Sequence, residues 1–278
     1  DVDALSSAQI KALTSTQIGA LNTSVISSLS SADVGAIAPK SIIGLTLSQL
    51  MAIGTTQVSG LTTAQVASLY SSQIDNLSSA LIEALNSAQV GALSSAQLAT
   101  LSSAEINSFT TDELAAIKKA NIGGLSSAVI AGLSTTKFAA LTPAQLAAFS
   151  STQMSALTSA QLAALTPAQM GALTPKQIAG LSTDVLHSLS SGQVAGLTNR
   201  QMSALSATQF DALSSAGLAA LGSQQVSGLT AAQAATLTAA ELNSFSADEI
   251  AAIKKNVVAG ISTAAIAGLS TSLVSAIT

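Results

Sequence analysis

Leu141-Thr142-Pro143-Ala144-Gln145-Leu146-Ala147-Ala148 reads LTPAQLAA, and the physics of that octapeptide decides the fold. Thr followed three places on by Gln is a capping box. The hydroxyl accepts from the third helical amide, while the Gln side chain reaches back to the amide of the cap. Leu141 before the cap and Leu146 at the fourth helical position form the hydrophobic staple that accompanies such a box. Pro143 falls on the first helical residue, where a missing N–H costs nothing. Eight residues therefore spell a helix of about one and a half turns with its own start signal.

The phrase recurs 34 times between Leu5 and Ala276 without an insertion or deletion. With the octad numbered from its leading Leu, position 1 is Leu, Ile or Phe and position 6 is always apolar. Position 2 is mostly Ser, Thr or Asn, position 5 most often Gln, and position 8 small. Pro39, Pro143, Pro167 and Pro175 all occupy position 3. Glycine recurs at position 8 (Gly124, Gly132, Gly180, Gly196, Gly260, Gly268), where so short a helix must end, and a positive φ is expected there. A β-solenoid is the rival backbone. It predicts period-two alternation, which positions 1, 6 and 8 do not supply, and alanine is a poor strand residue.

A helix this short is unstable alone in water, so packing must supply what length cannot. Two buried aliphatic side chains per octad, at positions 1 and 6, contribute about 3 to 6 kcal/mol. Small residues at positions 8 and 7 are expected to let consecutive helices approach closely. The fold class expected is all-α: a superhelical α-solenoid of about 34 very short capped helices, one per octad. It is expected to run as a single continuous array over 1–278, with repeats over 5–276.

Composition narrows function more by exclusion than by assignment. Charged residues are 8% and aromatics 2%, and nine Lys and Arg are scattered through a chain of net charge −4. No basic patch for nucleic acid follows from that distribution. Mean hydropathy is +0.55, yet Ser, Thr and Gln in every octad interrupt any apolar run long enough to span a membrane. There are no cysteines for disulfides or thiolate metal sites. Asp1 opens no recognisable leader, which leaves a mature chain, a fragment or a protein not exported by that route.

A longer period overlies the octad. The segment 101–134 returns at 237–270, seventeen octads on, and a remoter echo begins at Leu29. Both copies carry Phe at position 1 (Phe109, Phe245) and acidic pairs (Asp112-Glu113, Asp248-Glu249). Both also carry lysine doublets (Lys118-Lys119, Lys254-Lys255), the first lysine replacing the cap. These ten residues are the candidate interaction segments. The carboxylates also fit the first turn of a helix, where they complement its dipole.

The phrases LTTAQVAS (Leu61–Ser68), LTSAQLAA (Leu157–Ala164) and LTPAQLAA resemble the large low-complexity bacterial repeat proteins built from LTTAQ-type octads, labelled as surface adhesins or haem-utilisation-like proteins. The likeness covers essentially all of 5–276. It implies a structural protein at the bacterial cell surface or outside the cell. The residues themselves do not support a haem label. His187 is the only histidine, Met154, Met170 and Met202 sit in the core slot at position 6, and Met51, at position 7, is likewise expected to pack in the core. No catalytic, cofactor-binding or metal-binding set can be assembled, and abundant serine is explained by capping.

The function expected is therefore non-enzymatic and structural: a stalk, spacer or self-associating filament or sheath subunit, without a cofactor. Its weakly charged exterior at positions 3, 4 and 7 offers little repulsion between copies. A peptide- or glycan-binding solenoid or adhesin module, with the duplicated segments as its binding face and a cell-surface or glycan contact as its partner, is the alternative. A β-solenoid adhesive or ice-binding face is the second alternative.

Overall fold

A computed structural model describes residues 6–277. It holds 33 α-helices of four to six residues and one 3-10 turn over Ile122–Gly124, with no strand among the described residues. Each helix starts at position 3 of its octad, from Ser7–Ala12 through Pro143–Leu146 to Thr271–Val274. The β-solenoid alternative is thereby excluded, and the all-α reading holds.

The boxes close as the spacing predicts. In the octad at 141 the Thr142 amide donates to Gln145 Oε1 at 2.8 Å, and the Gln145 amide donates to Thr142 Oγ1 at 3.3 Å. A missing side-chain cap does not by itself shorten the helix: Thr23–Ser28 runs six residues although Asn22 makes no cap bond. Lys254 caps without a side-chain bond, and in the octad of Lys118, where Asn121 stands at position 5, only the 3-10 turn forms.

Contact patterns divide the chain into two units, Asp1–Leu141 and Thr142–Thr278. Each is built alike. A helix packs against the helix three octads further on: Ser15–Gly19 against Pro39–Ile42 in the first unit, Pro175–Ala179 against Asn199–Ala204 in the second. Consecutive helices do not form such pairs, which corrects the expectation that small residues serve sequential neighbours. The chain winds, and one coil lies on the next.

From Ile26 to Ile253 positions 1 and 6 are buried in every octad. Phe138 and Phe210 occupy position 6 and are fully buried, as are Met170 and Met202. Met51 departs from the core placement expected of the methionines. It is 73% exposed, because position 7 lies on the outer side of the helix.

Glycine at position 8 is there for space rather than for φ. No residue among those described has positive φ, and Gly196 ends its helix at φ −76°. A Cβ on Gly196 would stand 2.5 Å from the carbonyl oxygen of Pro167, one coil earlier. On Gly44 it would stand 2.0 Å from the oxygen of Ser15. Backbone meets backbone there, so the expectation of left-handed glycines is replaced by one of close coil contact.

Candidate interaction surface and the amide staples

Position 5 does more than close its own box. Gln65 is fully buried. Its Oε1 accepts from the Thr62 amide at 2.7 Å, while its Nε2 donates to the carbonyls of Val34 at 2.7 Å and Ile37 at 2.6 Å. Those acceptors lie 31 and 28 residues back, on the preceding coil, so a turn of the coil takes between three and four octads. The same two bonds recur at Gln49, Gln57, Gln89 and Gln97 in the first unit, and at Gln177, Gln193, Gln201 and Gln233 in the second. One primary amide thus starts a helix with its oxygen and ties it to the coil beneath with its nitrogen. Every polar atom of the buried side chain is matched, as burial demands.

This role was missing from the sequence reading. Its signal was available: at position 5 Gln outnumbers Glu 18 to 4, although a capping box accepts either. The need for a donor, and for a side chain that carries no charge into a buried place, separates them. Where another donor stands at position 5 it does part of the work. Asn121 Nδ2 donates to Leu93 O at 2.8 Å, and Lys137 Nζ donates to Phe109 O.

The ten candidate residues of the duplicated segments fall into three groups. Phe109 and Phe245 are buried and belong to the core. Glu113 and Glu249 are half-buried and close capping boxes, accepting from the Thr110 and Ser246 amides at 2.7 Å each. Asp112, Asp248, Lys118, Lys119, Lys254 and Lys255 are exposed. The two copies also share a clasp. Asn107 Nδ2 donates to Gly132 O and its Oδ1 accepts from the Ser134 amide, at 2.8 and 2.9 Å. Asn243 repeats this with Gly268 and Ser270 at the same distances.

Elsewhere the exterior is mainly small and uncharged, with exposed charges scattered singly, as at Lys40, Glu83, Lys176, Asp184 and Arg200. Among the described residues the large exposed apolar side chains are Leu47, Met51, Tyr70 and Val274. Leu47 and Met51 stand four apart on one helix, and Met51 borders an open depression of about 340 Å³ with Asp75, Asn76, Leu77, Ser78 and Leu81. His187 is exposed, with Nδ1 3.2 Å from Ala212 O. Among the described residues no three of His, Cys, Asp and Glu gather to hold a metal, and no helix is long and apolar enough to cross a membrane.

Capped helices of one and a half turns, coiled on a buried aliphatic core and tied coil to coil by side-chain amides, define an α-solenoid repeat protein. The chain belongs to the ALTTAQ repeat family, whose model matches residues 1–31, 66–111, 82–119, 114–151 and 143–175. Among curated proteins none matches it.

Proposed function

We propose that the chain is a non-enzymatic structural array, a spacer or stalk at the surface of a bacterium or outside the cell, that associates with copies of itself. The observation that carries this reading is the sameness of the octads. The core slots recur in every octad from Leu29 to Ile253 and the amide staple recurs in both units, so the sequence is spent on propagating one shape. The outer positions 3, 4 and 7 are mainly Ser, Thr, Ala and Gly, and a net charge of −4 over 278 residues sets little repulsion between molecules. Sedimentation velocity over a concentration series tests the association. The average mass should rise with concentration and be insensitive to salt. A monomer at every concentration overturns the self-association.

The second reading, a peptide- or glycan-binding module, rests on the patch of Leu47 and Met51 beside the depression that ends at Leu81. Met51 and its neighbours join an apolar surface to the polar groups of Asp75 and Asn76, the mixture that small binding sites use. Glycan-array screening of the chain against its Met51→Ser variant separates this reading from the first, since bound glycans lost in the variant would favour it.

A further inference from the structure

The staple has a fixed chemistry, and the duplicated segments break it at the same two octads in each unit. Position 5 is Glu at 105 and 113 in the first unit and at 241 and 249 in the second. Each Glu keeps the half of the job that needs an acceptor. Glu105 Oε2 takes the Ser102 amide at 2.8 Å, and Glu241 Oε2 takes the Thr238 amide at 2.8 Å. None can do the other half, because an ionised carboxylate has no N–H to give. The carbonyls 28 residues back, at Leu77 and Leu85, therefore receive no amide from above, unlike those of Leu61 and Leu69, which take Gln89 and Gln97 at 2.7 Å. Glu105 Oε1 instead accepts from Ser79 Oγ at 3.2 Å.

Beyond the Glu pair the same seam is pinned again in the first unit, whereas in the second Val257 and Ala265 follow at position 5 and offer no side-chain donor. The Asn107 clasp holds Gly132 and Ser134, and Asn121 and Lys137 reach the Leu93 and Phe109 carbonyls. An unstapled pair of octads bounded by pinned ones is a local opening site with limits. We propose that the two Glu octads of the first unit are such a yielding point, where the upper coil lifts from the lower one before the Gln89, Gln97 and Asn121 octads that flank them give. Short helices that depend on packing lose protection wherever the packing is released, and in a repeat array that release stays local. The proposal concerns the coil itself and stands whether or not copies of the chain associate.

Hydrogen exchange on the full chain, read by mass spectrometry and corrected for intrinsic rates, tests it in the first unit, away from the last octads. Amides of 106–117 should exchange about tenfold faster than those of 66–77, whose octads carry Gln65 and Gln73, as the loss of two net hydrogen bonds implies. The double substitution Glu105→Gln with Glu113→Gln should slow 106–117 to the rate of the stapled octads. Glu105→Leu with Glu113→Leu removes the charges without adding a donor, and should not slow it. Equal exchange of the two segments in the unaltered chain overturns the proposal. So does a Gln pair without effect, or a Leu pair that protects as well as the Gln pair.

Discussion

Replacing Gln65 by Glu isolates the staple, because it changes one nitrogen to an oxygen and leaves the rest of the octad in place. The carboxylate still accepts from the Thr62 amide, so the helix start survives. What is lost is the donation to Val34 O and Ile37 O, at 2.7 and 2.6 Å, from a side chain with no solvent exposure. Two buried bonds at about 1 kcal/mol each, plus a carboxylate oxygen set against two carbonyl oxygens, give a cost of about 2 to 5 kcal/mol. The matched control is Gln9→Glu. Gln9 makes the same box, accepting from the Ser6 amide at 2.8 Å, but is exposed, so its change should cost less than about 0.5 kcal/mol. Urea denaturation followed by far-UV circular dichroism measures both. In a quasi-one-dimensional array one weakened interface also divides a single transition into two, so the Gln65 variant should show a shallower or stepped curve. Acidification should narrow the deficit, since a protonated carboxyl regains one donor. Equal, small effects at Gln65 and Gln9 would refute the staple as a source of stability.

Gly44→Ala should destabilise by about 2 to 4 kcal/mol, because its Cβ would enter the Ser15 backbone. Gly192→Ala meets only the Pro167 side chain at 3.9 Å and, lying within the helix Ser191–Ala195, should stabilise by about 0.5 to 1 kcal/mol; thermal melts of the two variants check the opposite signs. Thr62→Ala removes one capping acceptor, 3.2 Å from the Gln65 amide, and should cost about 1 kcal/mol in a urea titration, less than Gln65→Glu. Phe138→Ala empties a fully buried core slot and should cost about 3 to 5 kcal/mol by the same titration.

The local half of this architecture was legible in the residues. Thr142, Pro143 and Gln145 announce a helix start through bonds that span three residues, and Leu141 and Leu146 declare the buried face. The non-local half was not. A Gln amide can reach any backbone carbonyl, and carbonyls are the same on every residue, so nothing at Val34 or Ile37 marks them as partners of Gln65. The coil length that sets the 28- and 31-residue offsets depends on angles between helices that no octad specifies alone. Glycine at position 8 misled for a related reason. At the end of an isolated helix it signals a left-handed cap, whereas here the constraint comes from Pro167 or Ser15 on another coil. Met51 misled because residue type outweighed position: the octad placed it at an outer site that methionine rarely takes. Of the ten candidate interaction residues, Phe109 and Phe245 turned out to be core because position 1 is core in every octad from Leu29 to Ile253.

A neutral amide suits this place better than an ion pair would. Each coil must be tied to the next at a buried point, and a buried charge pair loses in desolvation much of what it gains in attraction. The primary amide carries a donor and an acceptor on one rigid plane, so a single side chain satisfies the cap amide on one side and two carbonyls on the other without moving a charge out of water. That economy accounts for the composition. Only 8% of the residues are charged, and the polar share is carried by Ser, Thr and Gln. It also means that salt has little to screen, since the staples involve no ions and the core is aliphatic. The unfolding midpoint in urea should therefore hardly change when sodium chloride replaces a low-salt buffer. A large loss of stability on adding salt would place the cohesion in surface charges, and the amide at position 5 would then be a cap and nothing more.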